Sequence, residues 1–155
     1  MKRIKIAFLA DHVDAVPTLA AWFRAQWPDY FARQTPATVE RGFQEQAQRD
    51  RIPTRLVAFA DGALAGTIVL RERALPGQPA THPGLGGLFV PARYRTRGIG
   101  SALIRAGMNV ARVQGYGSVY AATAAAGGIL ERLGWTAVRE IIHGDERLTL
   151  YRCEL

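Results

Sequence analysis

Apolar residues along the chain fall into two repeating patterns. Ile4, Ile6 and Phe8 share one parity, which predicts a first strand over Ile4 to Leu9. Val16, Leu19, Ala20 and Phe23, with Trp27 beyond them, recur at helical spacing. They predict a helix capped by Asp14, with Pro17 in its first turn. Asp29 to Pro36 reads as an aromatic, proline-containing loop, and Thr38 then caps a second helix along Val39, Phe43 and Ala47. Thr54 to Ala60 and Ala63 to Arg71 are strands flanking Asp61-Gly62, a pair that tolerates positive φ and so predicts a hairpin. After a loop from Ala74 to Gly84, Leu85 to Val90 is a short buried strand. Gly98 to Gln114 follows as a long helix with Ile99, Leu103, Ala106, Val110 and Val113 on one face. Val119 to Ala122 is strand-like, and Ala124 to Leu133 is a short helix stopped by Gly134. Trp135 to Ile142 and Arg147 to Glu154 close the chain as a hairpin around Gly144-Asp145. This order predicts an α/β layered domain over residues 1–155 with a mixed, mostly antiparallel sheet.

Composition agrees with one folded domain. The chain has 155 residues, 48% hydrophobic and 21% charged, so it can bury a real core. No apolar run approaches the roughly 20 residues of a membrane span, and the basic start from Met1 to Lys5 precedes too short an apolar stretch for a signal peptide. A cytoplasmic protein that needs no membrane is the expectation. The lone Cys153 rules out an internal disulfide, and His12, His82 and His143 lack metal-ligand spacing, so no metal is expected. His12 and His143 read as peripheral.

A formal charge of +7 raises nucleic-acid binding as a function. Its distribution argues against that function, because no basic run reaches five residues. The one concentration, Arg93, Arg95 and Arg97, adjoins a glycine motif and suits a compact phosphorylated molecule better than a long polyanion. The excess of positive charge also leans toward an acidic acceptor. Around the motif, a hydrophobic strand runs through a glycine turn straight into an amphipathic helix. The first N–H groups of such a helix lack intrahelical partners, the macrodipole adds positive charge, and glycine lets phosphate come close. The third glycine of a dinucleotide fingerprint is missing, as is the Gly-Lys-Ser/Thr of a nucleoside-triphosphate loop.

Arg95-Thr96-Arg97-Gly98-Ile99-Gly100 resembles the Arg/Gln-x-x-Gly-x-Gly/Ala signature of the GNAT superfamily of acyl-CoA-dependent N-acetyltransferases. Phe89-Val90-Pro91 with Tyr94-Arg95, and Leu130-Glu131-Arg132-Leu133-Gly134-Trp135, are similar to flanking segments of that superfamily. The resemblance implies a sheet of about seven strands with helices on both faces, splayed between the strands near 85–90 and 119–122. It implies acetyl-CoA as co-substrate, with pantetheine on the backbone of Leu88, Phe89 and Val90. Arg95, Thr96, Arg97, Gly98, Ile99, Gly100 and Ser101 would hold the pyrophosphate. It further implies direct attack by a primary amine of a small molecule or peptide, through a tetrahedral intermediate that a backbone N–H stabilises.

The superfamily's usual general-acid tyrosine is matched here by Leu130. That departure leaves open a non-catalytic acyl-CoA-binding module beside the enzyme. Tyr120 either points its hydroxyl at the sulfur or packs across strands. Glu72 is either a base, directly or through water, or a solvated strand end. His82 reads as a loop histidine. Thr123 either touches pantetheine or caps the next helix. Trp22, Phe23, Trp27, Tyr30 and Phe31 either wall an amine site by cation–π contact or pack the first helix; Tyr30 and Phe31, in the loop, are the candidates for substrate contact. The carboxy-terminal strand offers a contact for a homodimer, though nothing in the sequence demands one.

Overall fold

A computed structural model describes residues 3–155. Met1 and Lys2, part of the basic start, lie outside the described residues. Seven strands form one sheet: β1 (Ile4–Phe8), β2 (Thr54–Ala60), β3 (Ala63–Arg71), β4 (Gly84–Phe89), β5 (Ser118–Thr123), β6 (Thr136–His143) and β7 (Glu146–Glu154). Their spatial order is β1-β2-β3-β4-β5-β7-β6, antiparallel throughout except for the β4–β5 pair. The hairpin at Asp61-Gly62 forms with the predicted bounds, and both residues take positive φ (49° and 86°).

Period-two burial sends alternate residues of β2 to opposite faces. Leu56, Ala58 and Ala60 join Leu103, Ile104 and Leu130 in a core beneath α3 (Ile99–Val113) and α4 (Gly127–Arg132). Val57 and Phe59 face the other way, toward α1 (Val16–Gln26) and α2 (Pro36–Gln44), where they meet Leu19, Phe23 and Phe43. Helices therefore cover both faces. A smaller cluster of Ala74, Leu75, Leu148 and Leu150 seals the far half of the sheet, with Tyr120 and Ala122 against it.

Both predicted amino-terminal caps differ from the structure. Asp14 caps nothing, because Val13–Ala15 is a 3-10 turn that runs directly into α1 and brings its own backbone bonds. Thr35, not Thr38, caps α2: its hydroxyl accepts from the Thr38 N–H at 3.1 Å, and Pro36 occupies the first helical position. The last helix is shorter than expected, since the Thr123 hydroxyl accepts from the N–H groups of Ala125 and Ala126 and holds those residues in a turn. The loop before β4 is ordered by Thr81, wholly buried, whose hydroxyl donates to the Gln78 carbonyl at 2.7 Å.

Leu103 lies on the buried face of α3 with no solvent exposure. Leu103→Ala should lower the unfolding free energy by about 3 kcal/mol in urea titration, the usual cost of a cavity in a rigid core.

Candidate active site

One parallel pairing, Gly84 with Tyr120, joins β4 to β5, and the strands then separate. Beyond that bridge β4 is bonded only to β3, which leaves backbone donors and acceptors on its other edge. Between Val69 and Thr67 the β3–β4 register slips by one residue, so β4 carries a bulge. Gly87 sits within that slip at φ +58°, a left-handed conformation that glycine adopts without a steric cost. A cleft of about 1360 Å³ opens from the splay, larger than a typical pocket for one drug-sized ligand.

At one end of the cleft, β4 turns into α3. The Arg95 Nε donates to the Val90 carbonyl at 2.9 Å, while Thr96 (φ +63°) and Gly98 (φ +81°) both coil the loop through left-handed conformations. Ala102 is the first α3 residue whose N–H bonds back, to the Gly98 carbonyl at 3.0 Å. The N–H groups of Ile99, Gly100 and Ser101 therefore precede any intrahelical bond and open on the cleft. A Cβ built on Gly98 meets nothing within 4 Å, and one on Gly100 only Ile129 Cδ1 at 4.0 Å, so space for a ligand lies directly over this backbone.

The other end lies on the α1–α2 face. Arg55 shares the parity of Val57 and is 3% exposed. Its guanidinium stacks 5.3 Å from the Phe23 centroid and 4.8 Å from that of Phe43. Its Nε donates to Gln46 Oε1 at 2.5 Å and its Nη1 to Thr67 Oγ1 at 3.0 Å. Arg71, two positions beyond Val69 on the same face, donates to the Ala74 carbonyl at 3.4 Å. The guanidinium groups lie against the two bulge glycines. A Cβ on Gly86 would come within 2.6 Å of Arg71 Nη2, and one on Gly87 within 3.1 Å of Arg55 Nη2. Among the described residues neither arginine forms an ion pair with a carboxylate. Desolvation, and then the charge of Arg71, push the Arg55 pKa down to about 9; burial also lowers that of Arg71, partly offset by Tyr30.

The cleft brings together Leu88, Phe89, Val90, Arg95, Thr96, Gly98, Ile99, Gly100, Ser101, Thr123, Tyr30 and Phe31. Arg97 is not among the lining residues; its guanidinium lies 5.8 Å from the Tyr94 ring centroid. Tyr120 and Glu72 also stand outside the lining. Tyr120 takes the opposite parity from Val119 and Ala121, packs against the cluster of Ala74 and Leu75, and has Arg152 6.0 Å from its ring. Glu72 is exposed beside His82, whose Nδ1 is 2.7 Å from the Glu72 carbonyl oxygen. Of the aromatic residues, Phe23 and Trp27 pack on Phe89, and Arg55 already occupies Phe23.

Sequence reasoning missed Arg55 and Arg71, which look like ordinary polar positions in alternating strands. It also set aside His143, which reaches the cleft rim with Glu146 through the β6–β7 hairpin. Leu130 and Ile129 line the cleft at α4, so that helix contributes hydrocarbon there.

A two-sided α/β sheet split between parallel strands, with the start of α3 beside the opening, defines the class of fold. More specifically, the chain belongs to the acetyltransferase (GNAT) family, whose model matches residues 19–135. No curated protein matches it by sequence. Its fold is similar to that of a GNAT-family acetyltransferase from Streptococcus pneumoniae, with a TM-score of 0.71 and 16% identity over 100% of both chains. YncA of Salmonella typhimurium, solved with its cofactor acetyl-CoA, superposes with a TM-score of 0.71 at 15% identity, covering 97% of this chain and 93% of that one. An aminoglycoside 6'-N-acetyltransferase complexed with coenzyme A gives 0.72 at 15% identity, covering 97% and 96%.

Arg55 titrates lower when folded than an ordinary arginine, because it is desolvated. The unfolded chain then binds more protons above about pH 9, and native stability gains with rising pH from this group. The difference in unfolding free energy between wild type and Arg55→Met should therefore shift in favour of wild type between about pH 8 and 10.5, followed by urea titration at each pH.

Proposed function

We propose that the protein transfers an acetyl group from acetyl-CoA to a primary amine. The observation that carries this reading is the opened β4–β5 pair, an unpaired strand edge leading to an unpartnered helix start. The residues present fit acetyl-CoA on two counts. The free edge of β4 at Leu88, Phe89 and Val90 matches the amides of a pantetheine arm by β-augmentation. The open space over Gly98 and Gly100, with Arg95 beside it, matches a pyrophosphate. Acetyl-CoA supplies an acetyl carbonyl activated as a thioester.

The chain's own groups orient the amine and manage charge. The bulge at Gly87 interrupts the β3–β4 ladder, and a β4 backbone N–H left unpaired there would polarise the acetyl oxygen. A C–N bond forms as the C–S bond breaks, the amine gives up a proton, and the products are an amide and the free thiol of coenzyme A. The groups at the cleft rim that take a proton are the His143 imidazole and the Glu146 carboxylate, directly or through water. Tyr120 and Glu72 have no part in this reading because they stand outside the cleft. Leu130, 2% exposed, favours a second reading in which the cleft binds acyl-CoA without turnover.

Calorimetric titration with acetyl-CoA, followed by a thiol-release assay with an amine panel, tests both readings. Micromolar binding with amine-dependent thiol release is expected. Binding without release under any amine would establish the binding module instead, and no binding would overturn both. Gly100→Val should weaken acetyl-CoA binding at least about 10-fold while circular dichroism and Tm stay near wild type, because a Cβ there touches only Ile129 Cδ1 at 4.0 Å and the added carbons extend into the ligand's space.

A further inference from the structure

Arg55 and Arg71 need a reason to be where they are. A desolvated cation without a counter-ion is costly, and two side by side repel. Arg55 is 3% exposed, yet its contacts are two aromatic faces, an amide oxygen, a hydroxyl and, at 3.5 Å, the Gly87 carbonyl, all without formal charge. Its Nη2 makes none of these hydrogen bonds and lies against Gly87. Arg71 lies against neighbouring Gly86. The cleft lining holds four arginines (Arg55, Arg71, Arg95 and Arg132) and one carboxylate, Glu146 at the rim. Such a wall repels a polycationic acceptor.

These two arginines are not placed to serve coenzyme A phosphates. They project from β2 and β3 on the face covered by α1 and α2, whereas α3 begins on the opposite face. They lie at the β4 bulge, where the acceptor would approach the acetyl group. Around them, Trp27, Tyr30 and Phe31 give the same end of the cleft an apolar aromatic lining.

We propose that the acceptor is a carboxylate-bearing amine with an apolar body, an amino acid of the phenylalanine or methionine type, whose carboxylate is held between Arg55 and Arg71. This rests on the acetyl-transfer reading above. Guanidinium forks pair with carboxylates through parallel N–H···O bonds, which fixes both the position and the orientation of the amine. The carboxylate would supply the counter-ion the protein lacks.

The test compares matched amines at saturating acetyl-CoA: phenylalanine against 2-phenylethylamine, and methionine against 3-(methylthio)propylamine. The carboxylated member of each pair should show kcat/KM higher by at least about 100-fold, since a site built around a polar group rejects the analogue without it. Arg71→Met and Arg55→Met should each shrink that ratio toward one, with acetyl-CoA affinity unchanged within about threefold. A loss of activity from mere misfolding would lower both members equally and leave the ratio intact. A wild type that acetylates the plain amines as well as the amino acids, or prefers O-phosphoethanolamine to both, would overturn the proposal while acetyl transfer stood.

A second measurement does not need turnover. Calorimetry should show 3-phenylpropanoate binding to the wild-type protein with coenzyme A present, and weakening at least about 10-fold in Arg71→Met. Absence of binding in wild type, or equal binding in the variant, would also overturn it.

Discussion

The geometry of the site depends on β4 having one continuous partner instead of two. A strand in the middle of a sheet ordinarily spends its hydrogen bonds on both neighbours. Here α3 carries the chain over to β5, which meets β4 at Gly84–Tyr120 and then turns to pair fully with β7 from Ser118 to Thr123. The sheet stays cohesive because β5–β7 and β3–β4 are long antiparallel ladders that do not need the missing pairs. The exposed edge between them is tolerable because it faces a cleft and is flanked by α3 and α4. A strand edge that would otherwise invite aggregation is thereby kept inside the cleft.

Electrostatics divide the cleft into two territories. At the start of α3 the positive potential comes mainly from backbone N–H groups and the exposed Arg95, so it is stiff and needs little desolvation. Over the α1–α2 face it comes from the buried Arg55, with aromatic rings as neighbours, and the half-buried Arg71. Burial makes the second territory dear when empty and strong when filled, whereas the first changes little on binding. The bulge glycines connect the two: without side chains at positions 86 and 87, the guanidinium groups can reach the backbone that would polarise the acyl oxygen.

Most of the fold was legible in the sequence, and the reasons differ by element. The Asp61-Gly62 hairpin and the strand–turn–helix at residues 85–114 were plain, because turn chemistry and periodicity are local. The α1 cap was misplaced since a preceding 3-10 turn cannot be told from an Asp cap by residue type. Thr35 was passed over for Thr38 although Pro36 marks a first helical position. At the site, the glycine turn that opens α3 beside the cleft was legible because a motif encodes it. Arg55 and Arg71 were not, because their meaning comes from strand pairing: only the register of Arg55 with Val69 puts them on one face. Tyr120 illustrates the reverse. A position on the right strand is still outside the cleft when its ring is packed against a cluster such as Ala74 and Leu75, with Arg152 beside it.

The sheet is also a partition. The start of α3 and the loop before it lie on one side, and the arginines, α1 and α2 lie on the other. The two sides touch chiefly through β4 itself, where Phe23 and Trp27 pack on Phe89. The β4 edge is therefore a seam between two separately packed halves, each with its own core and its own set of charges.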